Sequence, residues 1–132
     1  MAEVSISILD EGFTGDPKTG WSAYPFLKEA GFDIRAVHVV AINPGQVRGN
    51  HYHARTSELL LMFSGTGAFY WEEGGAVRES AIGGAGAPVV IRIPPGKRHA
   101  FRNTGVDVVY LLAVRDGGDD HADPDIVRSP FV

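Results

Sequence analysis

Three histidines and one glutamate in this chain have the residue types and spacing of a metal site. His51, His53 and Glu58 lie in one stretch bracketed by glycines, and His99 follows later in the segment PPGKRHAFRN. Imidazole suits Zn, Cu, Fe and Ni, whereas carboxylate suits Mn. The four side chains therefore predict a site for a divalent metal. Water or substrate at the remaining positions would let the metal act as a Lewis acid or activate water.

Strand geometry explains how these side chains could meet. Side chains at i and i+2 of a strand share a face, so His51 and His53 project together. The link 54–57 is short enough for the next strand to pair antiparallel, which brings Glu58 near both histidines. His99 begins a later strand, and closure of a barrel would carry it to the same cavity. An H-x-H pair alone fits solvated strand histidines equally well; the carboxylate and the distant histidine favour a site.

Short strands separated by turns fill most of the chain. Seventeen glycines and eight prolines lie between short apolar runs in 132 residues, and these runs have the composition and alternation of strands. The predicted strands are 4–9, 34–42, 46–53, 58–63, 68–73, 77–82, 89–93, 99–103 and 108–115. The pattern indicates an all-β sandwich or barrel.

The connecting segments are predicted from their turn residues and polarity. Residues 12–21 read as a turn-rich connection and residues 24–31 as one helical turn. The polar tail 116–132, with an exposed His121, is predicted to lie over the surface or a partner subunit. We expect a single domain over residues 1–132, with the barrel core at about 34–115.

Composition excludes several classes of function. The formal charge is −4 with no basic patch, so we expect no nucleic-acid partner. No apolar run is long enough to span a bilayer, and no membrane partner is expected. The start of the chain lacks the basic region of a signal peptide, so cytoplasmic is the default prediction. The absence of cysteine excludes disulfides and thiolate catalysis.

The same residues resemble the two sequence motifs of the cupin superfamily. The first motif, G-x5-H-x-H-x4-E-x6-G, matches at every spacing through Gly45, His51, His53, Glu58 and Gly65. The second motif, P-x-G-x2-H-x3-N, matches through Pro94, Gly96, His99 and Asn103, with Pro88 in place of its leading glycine. The two motifs and the strands between them cover roughly the middle half of the chain.

The resemblance carries expectations about fold, metal and assembly. It implies a small single-domain cupin of the cupin 2 type, which is a jelly-roll-type antiparallel β-barrel and often a homodimer. It also implies one divalent metal ion per chain, without distinguishing Zn, Mn, Fe, Ni, Co or Cu. The metal residues would be His51, His53, Glu58 and His99, and the partner a small-molecule ligand.

Strand parity gives candidates for the walls of the substrate pocket. Phe101 and Asn103 share parity with the histidine that begins their strand, so either could line the cavity. His38 could contact a metal ligand or the substrate, or else be a hydrogen-bonded histidine of the core. Arg48 could bind a carboxylate or phosphate, but parity turns it away from the metal unless a bulge at Gly49 intervenes.

Three functions remain open. The first is a metal-dependent enzyme, an isomerase or dioxygenase acting on a small oxygenated molecule. The second follows from RGNHYH, which resembles the RGxHxH segment of cupin-type nucleotide-sugar ketoisomerases; there His51 and His53 would act as acid and base without a metal. It ranks second because Glu58 and His99 complete a metal shell. The third is a non-catalytic module that binds a ligand or metal.

Overall fold

Alternating apolar residues and frequent turns fold the described part of the chain into twelve β-strands. The computed structural model describes residues 3–10, 12–25, 30–84, 88–117 and 125–132. The strands are β1 (Ser5–Ile8), β2 (Thr14–Asp16), β3 (Gly20–Ser22), β4 (Ala36–Ile42), β5 (Val47–His53), β6 (Glu58–Met62), β7 (Thr66–Glu73), β8 (Ala76–Gly83), β9 (Val89–Ile93), β10 (His99–Asn103), β11 (Val109–Arg115) and β12 (Ile126–Arg128). Within those ranges no residue is helical, and accordingly none forms a helix able to cross a membrane.

The strands form two five-stranded antiparallel sheets and one small hairpin. Sheet I has the order β1-β9-β6-β11-β4, sheet II has the order β12-β5-β10-β7-β8, and β2 pairs with β3. Neighbours in each sheet are mostly distant in sequence, as in a jelly roll. The predicted all-β, jelly-roll-type antiparallel fold is therefore confirmed, and each predicted strand is present within two residues of its expected ends.

Three strands were not predicted from the sequence. The hairpin β2–β3 lies in the segment predicted as a turn-rich connection, and β12 lies in the predicted surface tail. Each has three residues, too few for an alternating pattern to be recognised. Half of the predicted helical turn 24–31, residues 26–29, lies outside the described residues, and so does His121.

The inner faces of sheets I and II enclose one apolar core. Ile42, Leu60, Ile91 and Leu111 come from sheet I, and Phe69, Ile82 and Phe101 come from sheet II. A smaller cluster, Ala30, Leu59 and Val114, covers part of the outer face of sheet I. The core fixes the spacing of the two sheets. It therefore also fixes the distance between the side chains that the two sheets present to each other at one end of the sandwich.

Ile91 gives a direct measure of this packing. It is fully buried at the centre of β9, between Ile6 and Leu60 of the neighbouring strands. We expect Ile91→Ala to lower the free energy of unfolding by about 2–5 kcal/mol, because the lost contacts leave a cavity. Val106→Ala, at a side chain that is 89% exposed, should change it by less than about 0.5 kcal/mol. Urea denaturation of both variants measures the difference, and equal losses would contradict the assigned core.

Candidate functional site

The structure brings the four predicted metal residues together at one end of the sandwich. His51 and His53 lie on β5 and His99 on β10, all in sheet II, whereas Glu58 reaches the same point from β6 of sheet I. One ring nitrogen from each histidine lies within 4.8 Å of the others. Glu58 Oε2 is 3.6 Å from His53 Nε2, and Glu58 Oε1 is 3.6 Å from His99 Nε2. We call these four residues the histidine cluster.

The histidine cluster forms part of the lining of a cavity of about 730 Å³. His53, Glu58 and His99 are buried, while His51 is half-buried. His51 is therefore the member most accessible to a ligand that enters from solvent. A cavity of this volume is in the range of small-molecule sites, about 300–1,000 Å³.

Hydrogen bonds at the far side of two imidazoles orient their Nε2 atoms toward Glu58. His99 Nδ1 is 2.8 Å from the Lys97 carbonyl oxygen, which only accepts, so Nδ1 carries the proton and Nε2 has the lone pair. His53 Nδ1 lies 3.4 Å from Asp125 Oδ1 and 3.2 Å from Arg115 Nη1. Nδ1 donates to Asp125 in the tautomer protonated at that nitrogen and accepts from Arg115 in the other. Bonds of this kind, to a carbonyl and a carboxylate, accompany metal-bound histidines.

Burial keeps the three imidazoles neutral. Desolvation, followed by the charges of His53 and nearby arginines, lowers the pKa of His51 to about 4. Desolvation likewise lowers the pKa of His99 to about 3 and lowers the pKa of His53. It raises the pKa of Glu58 to about 7, against the opposing charge of Arg115. Three neutral imidazoles beside one carboxyl group are a donor set that fits a divalent cation.

Asp125 is a buried part of the site that sequence reasoning missed. Besides contacting His53, its carboxylate accepts hydrogen bonds from Thr56 Oγ1 at 2.7 Å, Thr56 N at 2.9 Å and Arg55 N at 3.1 Å. Desolvation opposes its ionisation, but these bonds outweigh that effect and lower the pKa of Asp125 to about 2. It was missed because it lies 72 residues from His53, in a polar segment with no local pattern pointing to the cavity.

A bulge in β5 corrects the predicted direction of Arg48. His51 pairs with His99, but Gly49 pairs with the next residue of β10, Ala100, so Asn50 is an extra residue in β5. Gly49 has φ 99° and Asn50 has φ 57°, a left-handed pair that reverses the side-chain alternation. Arg48 therefore lines the cavity with the histidines. The expectation that Arg48 faces away from the metal residues was wrong. The exception named with it, a bulge at Gly49, is present in the structure.

The three predicted pocket residues occupy different places. Phe101 is buried and lines the cavity, and His38 lines it from an exposed position on β4. Asn103 is fully buried and is not among the cavity-lining residues. Its Nδ2 donates to the Ile42 and Asp107 carbonyls at 2.8 Å each, and its Oδ1 accepts from Gly105 N at 2.9 Å. These bonds hold the turn after β10.

Comparison with known proteins identifies the family of this chain. The family model described as "Polysaccharide biosynthesis C-terminal domain" matches residues 27–127, which is more than half of the chain. The chain belongs to this family. The matched region includes the whole histidine cluster together with Arg48 and Asp125. No curated protein matches the chain in sequence.

Solved structures similar to this polysaccharide biosynthesis domain include the capsular polysaccharide assembling protein CapF from Staphylococcus aureus, with TM-score 0.65, 26% identity, and coverage of 72% of this chain and 27% of CapF. They also include 3,4-ketoisomerases. QdtA from Thermoanaerobacterium thermosaccharolyticum, in complex with TDP-4-keto-6-deoxyglucose, has TM-score 0.77 and 16% identity over 98% of this chain and 89% of QdtA.

A third neighbour is a 3,4-ketoisomerase from Helicobacter canadensis, with TM-score 0.76 and 19% identity over 98% of this chain and 92% of that one. The domain spans about a quarter to a third of the CapF chains that it matches. Because these ketoisomerases and CapF have cupin folds, the predicted membership of the cupin superfamily is confirmed at the level of the fold.

Proposed function

We propose that this domain moves a proton from a carbon adjacent to the ketone of a nucleoside diphosphate keto sugar to the ketone carbon itself. The observation that carries the proposal is the gathering of three neutral imidazoles with two arginines around one cavity. The similarity in fold to 3,4-ketoisomerases and to a dTDP sugar isomerase from Desulfovibrio desulfuricans supports this reaction class. It favours the second of the three functions considered from the sequence.

The charges around the cavity suit an anionic ligand. Arg48 and Arg115 line it, and both, together with Arg128 of β12, lower the pKa of His51 through their positive charge. A guanidinium binds phosphate oxygens through paired hydrogen bonds. The apolar side chains of Leu60, Phe69 and Leu111 form another part of the wall. Arg115 lies against the histidine cluster, 3.2 Å from His53 Nδ1 and 3.7 Å from Glu58 Oε2. A diphosphate at Arg48 would therefore leave the sugar facing the histidines.

The proton transfers of a ketoisomerase balance with two neutral imidazoles. For a 4-keto sugar, a base removes the proton from C3, an enediol forms, and an acid returns a proton to C4. The hydroxyl proton passes meanwhile from the oxygen on C3 to the oxygen on C4. We assign the carbon proton to His51, the more accessible imidazole, and the oxygen proton to His53, whose Nδ1 faces the Asp125 carboxylate.

The histidine cluster also fits the divalent metal that the cupin resemblance implies. His51, His53, Glu58 and His99 would hold the ion, since their donor atoms face one another and the outer nitrogen of His99 is hydrogen-bonded to a carbonyl. A bound divalent ion supplies Lewis-acid stabilisation of negative charge on a carbonyl or enediol oxygen. A metal ion held by His51 and His53 would occupy the lone pairs that proton transfer needs, so metal binding is an alternative use of the histidine cluster and not a part of the ketoisomerase proposal.

The direct test is incubation with TDP-4-keto-6-deoxyglucose in D₂O, followed by proton NMR. We expect deuterium at a carbon adjacent to the ketone and signals of an isomeric keto sugar, with inhibition by TDP. Binding of TDP without deuterium incorporation would support the non-catalytic module instead. The absence of both TDP binding and deuterium exchange would refute the proposed substrate class.

The homodimer and the cytoplasmic location stay predictions.

A further inference from the structure

The end of the chain pairs along the edge of β5, the strand that carries two of the site histidines. We call residues 125–132 the C-terminal strap. Its strand β12 pairs with β5, with Ile126 opposite His53 and Arg128 opposite His51. Beyond β12, the strap reaches Asn50, the extra residue of the β5 bulge. The strap thus touches the site strand at the point where its side-chain alternation reverses.

Asn50 binds the strap through both its backbone and its side chain. Its carbonyl accepts from Ser129 N at 2.7 Å, and its Oδ1 accepts from Phe131 N at 3.0 Å and Val132 N at 3.1 Å. Its Nδ2 donates to the Val132 carbonyl oxygen at 3.1 Å. These four bonds form while Asn50 is in the left-handed region, at φ 57°. Asparagine tolerates that region better than other side chains.

A second group of contacts holds the strap from β7 and the start of β10. The Arg98 guanidinium lies 4.5 Å from the centre of the Phe131 ring, and its Nη1 donates to Ser129 Oγ at 3.3 Å. Arg98 is itself ion-paired with Glu72. The strap therefore lies between the bulge and Arg98, and contacts on both sides fix its position.

The bulge is the feature of β5 that turns Arg48 toward the cavity. Without the extra residue, β5 would pair with β10 in regular register and Arg48 would lie on the face opposite to His51. At Gly49, a Cβ atom would lie 3.0 Å from both Ala100 Cα and the His99 carbonyl oxygen. Because of this close approach, only glycine fits at position 49. The stability of the bulge therefore depends on its second residue, Asn50.

We infer that Asn50 is a positioning residue: by binding the C-terminal strap it holds the β5 bulge, and the bulge aims Arg48 at the ligand. The inference rests on the proposed function for the nature of the ligand. Asn50 does not line the cavity, so it acts through Arg48. The strap then contributes to the ligand site, although most of it lies beside β5 and outside the cavity.

Two matched substitutions separate this role from a general loss of stability. Asn50→Gly keeps the left-handed backbone accessible and removes the three side-chain bonds to the strap. Ser129→Ala removes the bond from Arg98 and keeps the backbone bond to Asn50. In full-length protein, hydrogen exchange of the strap amides should rise in Asn50→Gly much more than in Ser129→Ala.

The decisive measurement is a double-mutant cycle on TDP binding by calorimetry. We expect Arg48→Ala to weaken TDP binding about 10-fold or more and Asn50→Gly to weaken it about 5-fold. In the Arg48→Ala background, Asn50→Gly should have less than about a twofold further effect, because both changes remove the same interaction. Losses that multiply would overturn the inference, since the strap would then act through another residue such as Ile126, which also lines the cavity.

A readout without nucleotide keeps this inference separate from the proposed function. In protein labelled with ¹⁵N-arginine, the Arg48 side-chain signal is identified by its loss in Arg48→Lys. We expect the signal to move in Asn50→Gly and to stay in place in Ser129→Ala. If wild-type protein fails to bind TDP but the Arg48 signal moves in Asn50→Gly, the proposed substrate is refuted and the positioning role of Asn50 is supported. An unmoved signal with a loosened strap would refute the positioning role.

Discussion

Replacing His51 with asparagine is expected to slow proton exchange on the keto sugar by about 10²–10⁴-fold, the usual contribution of a general acid or base. His51 is the most accessible imidazole of the histidine cluster, and burial with nearby positive charge keeps it neutral. Its lone pair is therefore available to accept a proton from carbon. Asparagine has a similar size and polarity and cannot act as a base at neutral pH.

The affinity for TDP should change by less than about threefold in the same variant, because the proposed phosphate contacts come from Arg48. Deuterium incorporation measured by NMR gives the rate, and calorimetry gives the affinity. Tyr52→Phe is the neighbouring control on β5, since Tyr52 does not line the cavity. Exchange at the wild-type rate in His51→Asn would rule out His51 as the base and move that role to His53 or His99.

The fold and the histidine cluster could be predicted because the information for both is local. Strand alternation and turn residues are visible in windows of a few residues, and His51, His53 and Glu58 lie close together along the chain. His99 is further along the chain, but it begins the strand that pairs with β5 directly opposite His51. Spacing along the chain was therefore enough to identify the cluster. The expected antiparallel pairing of β5 with β6 was wrong, because the two strands lie in different sheets and Glu58 meets the histidines from the opposite sheet.

The parts that could not be predicted depend on distant pairing. Asp125 reaches His53 only because β12 adds to the edge of sheet II, and a three-residue strand has no recognisable pattern. The direction of Arg48 depends on one extra residue in β5. Glycine followed by asparagine is compatible with such a bulge, but also with a turn or with a regular strand. In both cases the missing information was the pairing partner.

The contacts of Glu58 lead to a prediction about stabilisation by a metal ion. Glu58 Oε1 faces His99 Nε2 at 3.6 Å, and Nε2 has a lone pair because Nδ1 donates to the Lys97 carbonyl. Two acceptors buried face to face repel unless a proton or a cation lies between them. A divalent ion at the histidine cluster would bind both acceptors, and His51 and His53 as well.

We therefore expect wild-type protein to bind about one equivalent of Zn²⁺ and to be stabilised by about 2.7 kcal/mol when free Zn²⁺ is 100 times the dissociation constant. Glu58→Gln removes the anionic ligand and should lose most of this stabilisation, whereas Glu79→Gln on the exposed face of β8 should retain it. Thermal unfolding with buffered Zn²⁺ and elemental analysis measure both effects. Equal stabilisation of the two variants would place the ion elsewhere. If wild-type protein is not stabilised at all, the buried acceptors must be bridged by the carboxyl proton of Glu58, and proton transfer would then depend on the imidazoles alone.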